Sequence, residues 1–339
     1  MTPVSVRDAR AADAEAIARV ARASWAETYR DIFEPAFIAE FLDANYRPDD
    51  LARQAERAVA SSDEQFLVAE RDGSVVAFAH FGVGSRGPEL SRIYADPAHY
   101  GTGAGSALIE ELHRRLEGQV DGYVLEVHSK NNRGRAFYDR NGFVIVGDGA
   151  LMPGCDLVMR RTLRPERAMM PVETDRLVLR ELVADDAEGL FEIYGDAETM
   201  RLVGRTGRPV TDLAATRRAV DAIRRHHRFH GFGLWALDER DGSPLVGVAG
   251  LAWVEGHGPE VEAAYILRRD RWGRGYATEA LRAVLRIGHD DLGLERVVAL
   301  AYVENDASRR VMEKAGMRPD GTVEAYGRTM TRHVSGSSG

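Results

Sequence analysis

The sequence has few of the features that would place it in several common classes of protein. Cys155 is the single cysteine among 339 residues, which excludes an internal disulfide and favours a reducing, cytoplasmic setting. Its neighbours alternate like a strand and include no histidine, so we favour an inert thiol over a nucleophile. No apolar run approaches the roughly 18–20 residues of a membrane span. The N-terminus also lacks a basic segment followed by a hydrophobic stretch, so we expect neither a membrane anchor nor a secretion signal.

Charge and histidine placement narrow the choice of partners and metals. A net charge of -8 argues against nucleic acid, which usually requires a basic face. His226, His227 and His230 have spacings that could hold a metal, but neither a carboxylate partner nor an HExxH pattern accompanies them. We interpret them as a solvated, positively charged helix end and expect no metal.

An internal repeat is present instead. The segments YGTGAGSALI at 100–109 and WGRGYATEAL at 272–281 each place a pair of glycines before an apolar-periodic helix. Each half also has an early strand followed by a helix, capped near Asp13 in the first half and near Asp185 or Asp186 in the second. Helical stretches follow at 36–60 and 211–230, and then two strands around an Asp-Gly turn.

After these hairpins, each half continues with a strand, the glycine loop, a helix, another strand, a short helix and a last hairpin. The order predicts an α+β fold with a mixed, mostly antiparallel sheet flanked by helices, occurring twice. Prolines and charges interrupt both patterns within 161–174. We therefore predict domains at 1–163 and 164–334, with a flexible tail at 335–339.

Three structures could use such glycine loops. A P-loop needs Gly-Lys-Ser/Thr at its end, and neither copy has it. A dinucleotide-binding fingerprint belongs directly after a strand in a parallel sheet, whereas hairpins precede these loops. A diphosphate cradle needs successive backbone N–H groups at a helix N-terminus, with small residues that allow close approach. We favour the cradle.

A second repeated motif lies downstream of each loop with identical internal spacing: Asn131, Gly134, Tyr138, Gly142 and Phe143 in the first half, and Asn305, Ser308, Met312, Gly316 and Met317 in the second. With the loops and the strand ending in IYADP, this motif resembles the GNAT superfamily of acetyl-CoA-dependent N-acetyltransferases. The resemblance covers 4–162 and 172–331, so it implies two tandem GNAT domains. The second half, with TDRLVLREL and NDASRRVMEKAGM, is most similar to the ribosomal-protein N-terminal acetyltransferase branch.

The resemblance implies that acetyl-CoA, as cosubstrate, binds in both halves. The diphosphate would lie on the loops and the pantetheine along the preceding strand and beside the asparagine of the second motif. The implied residues are Ile93, Tyr94, Ala95, Gly101, Thr102, Gly103, Ala104, Gly105, Ser106 and Asn131 in the first half, and Tyr265, Ile266, Leu267, Gly273, Arg274, Gly275, Tyr276, Ala277, Thr278 and Asn305 in the second. Tyr100 and Trp272 depart from the Arg or Gln usual at the start of the loop.

The expected chemistry is direct attack of a primary amine on the thioester, which needs a proton acceptor for the ammonium and a donor for the leaving thiolate. In the first half, the resemblance makes Tyr138 the thiolate donor, with Glu126 or Glu89 as the base. In the second half, Met312 occupies the tyrosine position and cannot donate a proton. Ser308 and Glu262 match the serine and glutamate of the ribosomal-protein branch.

The acceptor stays open between a small-molecule amine and a peptide N-terminus, and the chain between a monomer and a homodimer. The aromatic residues Trp25, Tyr29 and Phe33 lie in the region that forms the acceptor pocket in the family. A rival hypothesis makes one or both halves a CoA-binding sensor or scaffold without turnover. A nicotinamide-dependent dehydrogenase would need a different cofactor, and a mycothiol-type tandem acetyltransferase would share this architecture.

Overall fold

The computed structural model describes residues 3–149 and 157–336, so Cys155 lies outside the described residues. The chain divides into two compact units, Met1–Arg164 and Pro165–Gly339. The division falls inside the proline-containing segment 161–174. Among the described residues, no helix has the length and apolarity that crossing a bilayer requires.

Unit 1 contains one sheet and five α-helices in its described residues. Its strands are β1 (Ser5–Asp8), β2 (Gln65–Arg71), β3 (Ser74–Gly84), β4 (Gly87–Ala95), β5 (Gly122–Val127), β6 (Val144–Gly147) and β7 (Leu157–Thr162). Its helices are α1 (Ala14–Thr28), α2 (Pro35–Asn45), α3 (Pro48–Ala60), α4 (Ala104–Leu116) and α5 (Asn132–Arg140). The sheet order is β1-β2-β3-β4-β5-β7-β6, and only the β4–β5 pair is parallel.

Helices cover both faces of this sheet. On one face, α1 and α3 pack with Phe66 and Phe78 around the fully buried Trp25. On the other face, α4 contributes Leu108 and Leu112 to a second apolar cluster. Successive residues of a strand point to opposite faces, so β2 and β3, which are apolar on both faces, supply side chains to both clusters. The sheet is therefore the middle layer of three.

Unit 2 repeats this arrangement with one more strand. Its strands are β8 (Val172–Glu173), β9 (Leu177–Arg180), β10 (Leu234–Glu239), β11 (Gly247–Trp253), β12 (Val261–Leu267), β13 (Arg296–Tyr302), β14 (Arg318–Ala325) and β15 (Arg328–Gly336). Its helices are α6 (Ala187–Gly195), α7 (Ala197–Met200), α8 (Leu213–His230), α9 (Tyr276–Arg286) and α10 (Asp306–Lys314). The sheet order is β14-β15-β13-β12-β11-β10-β9-β8, with only β12–β13 parallel.

The two largest apolar clusters of unit 2 also lie on opposite faces of its sheet. Leu281 and Val284 of α9 pack with Trp235 on one face, and Leu190 of α6 packs with Val220 of α8 on the other. The α+β class and the mixed, mostly antiparallel sheets predicted from the sequence are thus confirmed.

Two boundaries differ from the sequence predictions. The single helical stretch expected at 36–60 is two helices, because Pro48 cannot continue a helix and instead begins α3. The tail predicted at 335–339 begins inside β15, where Ser335 pairs with Val297.

Equivalent ion-pair clusters involve an arginine of β1 in unit 1 and an arginine of β9 in unit 2. Arg7 binds the Asp13 carboxylate with both terminal nitrogens, at 2.7 and 2.9 Å, and also contacts Glu70. Arg180 binds Asp186 and Asp238 in the same way. Asp13 was expected to cap α1, but its carboxylate accepts from the backbone N–H of the residue three positions earlier. The Arg7 guanidinium lowers the pKa of Asp13.

Candidate active site

Both glycine loops end at the N-terminus of a helix. Gly101 and Gly103 have φ of 75° and 90° just before α4, and Gly273 and Gly275 have φ of 74° and 82° just before α9. Only glycine adopts this left-handed region at low cost, so the backbone conformation explains all four. A Cβ added at Gly101, Gly103 or Gly273 would meet no atom within 4 Å. Each turn therefore presents accessible backbone next to the unpaired N–H groups and positive dipole of a helix N-terminus.

Gly105 has a different explanation. It lies inside α4, and a Cβ at this position would lie 3.0 Å from Cε2 of Phe137 on α5. The third glycine of the first loop therefore permits the close packing of two helices.

The strand before each loop diverges from its parallel neighbour. The recorded pairing of β4 with β5 is the single pair Glu89↔Val124, and that of β12 with β13 is Glu262↔Val298. The other edge of each central strand is fully engaged with an antiparallel neighbour. Backbone groups further along β4 and β12 therefore face the gap between the diverging strands, where an extended ligand could form strand-like hydrogen bonds.

In unit 1 this gap opens into a cleft of about 390 Å³. Many of the predicted CoA residues line it together, namely Ile93, Tyr94, Ala95, Gly101, Gly103, Ala104, Gly105, Ser106 and Asn131. Tyr138 and Glu126 line the cleft as well, whereas Glu89 and Thr102 do not. The Thr102 hydroxyl instead donates to the carbonyl of His99 and closes the loop, at 2.7 Å.

Glu89 and Glu262 occupy equivalent places in the two sheets, although their distances along the sequence to the following glycine loop differ by one residue. Glu89 and Glu262 are the residues at which the central strand pairs with its parallel neighbour. The extra residue between Glu89 and its loop is absorbed by a bulge, because Leu90 pairs with Phe81 and Arg92 with His80, which leaves Ser91 over. The pairing of β11 with β12 has no such shift.

The other candidate base in unit 1, Glu126, is engaged by an arginine. Its carboxylate forms an ion pair with Arg86, which lies in the hairpin between β3 and β4. The Glu126 side chain is 8% exposed and lines the cleft. This salt bridge occupies the carboxylate.

The aromatic and amide residues of α5 are firmly placed. The Tyr138 ring contacts Phe137 and Phe143, each with centroids 5.5 Å apart, and Tyr138 lines the cleft. Asn131 caps α5, because its Oδ1 accepts from the N–H of Gly134 at 2.8 Å. Asn305 caps α10 in the same way at 3.0 Å. Both asparagines thus have a structural role, and their amide NH₂ groups are not used by the cap.

In unit 2 the candidate hydroxyl and the candidate base each contact a tyrosine. Ser308 Oγ lies 2.8 Å from the hydroxyl of Tyr265, whose side chain comes from β12. The Tyr326 hydroxyl donates to Oε2 of Glu262 at 2.6 Å. Burial raises the pKa of Glu262 to about 7, although the hydrogen bond from Tyr326 opposes this rise. A carboxyl with that pKa can exchange protons near neutral pH. Met312 is buried, as a core residue would be.

An arginine braces the second loop. Arg176 forms an ion pair with Glu279 of α9, donates to the carbonyl of Arg274 at 2.8 Å and lies over the Tyr276 ring at 4.7 Å. Trp272 is partly exposed, and its indole N–H donates to the carbonyl of Leu267 at 2.9 Å. These contacts fix the loop against β12 and the segment before β9.

Sequence reasoning missed Arg133 as a source of charge at the first loop. Its guanidinium lies over the Tyr100 ring at 4.4 Å, and no carboxylate of the described residues pairs with it. Arg133 and Tyr100 both line the cleft, so a cation on α5 accompanies the loop that lacks one. Its place in the second motif, two residues after Asn131, was the available signal. The Tyr326–Glu262 contact had none, because 64 residues separate the two.

Two further groups were singled out in the sequence, the histidines at the end of α8 and the aromatic residues near α1. Burial lowers the pKa of His227 and lowers that of His226 to about 4, so the interpretation of His226–His230 as a solvated, charged helix end is wrong for these two residues. Among residues 3–149 and 157–336, no group of three potential metal ligands occurs. Trp25 is a core residue, Tyr29 lines the cleft, and Phe33 packs edge-on against His128.

Comparison with known proteins identifies the family. Sequence profiles of the acetyltransferase (GNAT) domain match residues 62–145 and 176–318. An N-acetyltransferase of Mycobacterium bovis is 34% identical over 160 residues, which are 44% of this chain and 98% of the relative. The spermidine N(1)-acetyltransferase of Thermoplasma acidophilum is 26% identical over 47% of this chain and 96% of its own length. The chain belongs to the GNAT acetyltransferase family, carries two such domains and is an acyltransferase.

Among solved structures, the PaiA N-acetyltransferase of Thermoplasma acidophilum, crystallised with coenzyme A, is similar to part of the chain. The identity is 26% and the TM-score 0.44, over 47% of this chain and 99% of that one.

Proposed function

We propose that the protein transfers the acetyl group of acetyl-CoA to a primary amine, and that each unit has its own acetyl-CoA cleft. The proposal rests on one repeated arrangement: a left-handed glycine turn at a helix N-terminus, beside two parallel strands paired at a single position. An extended chain that ends in a diphosphate suits this arrangement. Strand edges supply hydrogen bonds to the pantetheine, and helix N–H groups face the phosphates.

The reaction we propose is a direct displacement. The amine nitrogen attacks the thioester carbon, the new C–N bond forms and the C–S bond breaks. The ammonium proton passes to a carboxylate, and the leaving thiolate is stabilised by a hydroxyl donor. In unit 2, Glu262 is the base and Ser308 the donor, with Tyr265 orienting Ser308. In unit 1, Tyr138 is the donor.

For unit 1 we propose Glu89 as the base ahead of Glu126. Glu89 holds the same position as Glu262 relative to the parallel strand. The carboxylate of Glu126 is largely buried and already bound by Arg86, and this ion pair favours the charged form that would have to be protonated.

For the acceptor, we propose a small polycationic amine as the first substrate to test. The support is the spermidine acetyltransferase among the relatives, and a peptide N-terminus is the second candidate. In the cleft of unit 1, helix α1 contributes the polar Ser24 and Thr28, so this part of the wall offers hydroxyl groups to a hydrophilic ligand.

Binding and turnover are tested separately on the full chain. Hydrogen–deuterium exchange during a CoA titration should show protection at both 99–108 and 271–280, and calorimetry should give two sites per chain. Protection of neither loop would refute the proposal. Thiol release with spermidine, and with a short peptide that has a free N-terminus, measures turnover. If both loops bind CoA but no amine is acetylated, the sensor hypothesis replaces the enzyme proposed here. Acetylation that Tyr138→Phe and Ser308→Ala both leave unchanged would instead reject these two hydroxyls as thiolate donors.

A further inference from the structure

Two turns of unit 2 meet above the buried Glu262. Glu255 lies between β11 and β12, and Tyr326 lies between β14 and β15. Their φ values are 55° and 54°, in the left-handed region that disfavours large side chains. Each is followed by a glycine that also has positive φ, as in two-residue turns where Asn-Gly is the preferred sequence. A glutamate and a tyrosine at these positions are strained, and such strain clusters at functional sites.

The backbone N–H of each strained residue donates a hydrogen bond to the side chain of the other. The N–H of Tyr326 donates to Oε1 of Glu255 at 2.7 Å, and the N–H of Glu255 donates to the hydroxyl oxygen of Tyr326 at 3.1 Å. The phenol therefore accepts from Glu255 and can direct its own single proton to Oε2 of Glu262, 2.6 Å away. The contact aims one donor at one carboxylate oxygen.

The other titratable groups near Glu262 are bound to partners of their own. The N–H of Leu300 on β13 supplies a second hydrogen bond to the carboxylate. Immediately before β12, Glu260 is paired with Arg332 of β15 at 2.8 Å, and on β12 the hydroxyl of Tyr265 is bound to Ser308. From the β11–β12 turn, Glu255 faces Tyr326. Among the described residues, the phenol is therefore the side chain through which the ionisation of Glu262 can be tuned.

We propose that Tyr326 is a positioning residue for acetyl transfer in unit 2. Its hydroxyl fixes the Glu262 carboxylate and favours its charged form, so that Glu262 can accept the proton of the incoming ammonium. This inference rests on the proposed role of Glu262 as the base. Burial raises the pKa of Tyr326, so the phenol keeps its own proton while the ammonium proton moves to Glu262.

The direct test is a titration of Glu262 by NMR on the full chain with ¹³C-labelled glutamate carboxyl groups. The Glu262 signal is assigned by its loss in Glu262→Gln. Wild-type Glu262 should titrate near pH 7. In Tyr326→Phe the midpoint should rise by about one to two pH units, because the lost hydrogen bond favoured the charged form. The control is Tyr302→Phe, which removes another buried hydroxyl bonded at 2.6 Å to a carbonyl and should leave the midpoint unchanged. An unchanged or lowered midpoint in Tyr326→Phe would overturn the proposal.

A kinetic test separates this proposal from the function on which it rests. With acetyl-CoA and spermidine as probes, the rate lost in Glu262→Gln is the contribution of unit 2. In Tyr326→Phe, the acid limb of that contribution should move to higher pH by the same amount, with KM for acetyl-CoA unchanged. Full activity of Glu262→Gln would reject Glu262 as the base, and the NMR titration would still decide whether Tyr326 tunes it. An inactive Glu262→Gln with an unshifted limb in Tyr326→Phe would reject the role of Tyr326.

Discussion

The carboxyl of Glu262 should make the stability of unit 2 depend on pH in an unusual direction. Most paired carboxylates have lowered pKa values and stabilise the fold above their unfolded pKa. Burial instead raises the pKa of Glu262 from 4.5 to about 7. Between these two values the folded state holds a proton that the unfolded state has lost. Its stabilising contribution is therefore complete below pH 4.5 and is lost as pH rises through 7.

The size of the effect follows from the shift. A change from 4.5 to about 7 corresponds to about 3 kcal/mol of unfolding free energy at alkaline pH. Glu262→Gln keeps the shape but cannot ionise. The difference in unfolding free energy between Glu262→Gln and wild type should therefore shift in favour of the variant between pH 4.5 and pH 8, by up to about 3 kcal/mol.

Urea unfolding followed by tryptophan fluorescence measures this difference. Three of the four tryptophans, Trp235, Trp253 and Trp272, lie in unit 2, so the signal reports mainly on that unit. Glu295→Gln, an exposed position in the same unit, is the control and should show a difference from wild type that is independent of pH. A difference for Glu262→Gln that does not change between pH 4.5 and 8 would refute the argument from burial.

Three further predictions concern the loops and the packing. Tyr138→Phe should lower thiol release by unit 1 at least tenfold with the same KM for acetyl-CoA, because a proton donor to the thiolate is lost; an unchanged rate would exclude that role. Arg133→Ala should weaken CoA binding in unit 1 about five- to tenfold at low salt and less at high salt, as measured by exchange protection of 99–108. Gly250→Ala should destabilise unit 2 by about 2 kcal/mol or more in urea, because an added Cβ would lie 2.0 Å from the carbonyl oxygen of Gly233, whereas Gly147→Ala, which has open space, should be nearly neutral.

The repeat and the fold class were readable from the sequence because they depend on local patterns. Alternating apolar residues around Asp-Gly turns predict antiparallel strands, and the spacing of the second motif matches in both halves. Two predictions from the sequence were wrong for different reasons. Pro48 divides one predicted helix in two, which is a local effect of its ring. Burial lowers the pKa of His227, where a charged, solvated side chain was expected, and this burial depends on tertiary packing.

The equivalence of Glu89 and Glu262 shows where counting along the chain stops being informative. The two positions differ by one residue relative to their loops, so sequence spacing alone left them as separate cases. The strand pairing places both at the point where the parallel strands meet, because a bulge at Ser91 absorbs the extra residue. A bulge depends on the pairing of two strands, which no single segment encodes.

The sequence by itself determined the two glycine turns, the helices that follow them and the family to which both halves belong. These features depend on backbone preferences and on spacings within a few residues, and such local preferences act in the same way wherever the segment lies in the fold. The tertiary structure alone decided that Tyr326 reaches Glu262, that Arg86 occupies Glu126 and that Arg133 stands over Tyr100. Burial and ion pairing depend on segments 33 to 64 residues apart being brought together, and they set which carboxylate stays available to accept a proton.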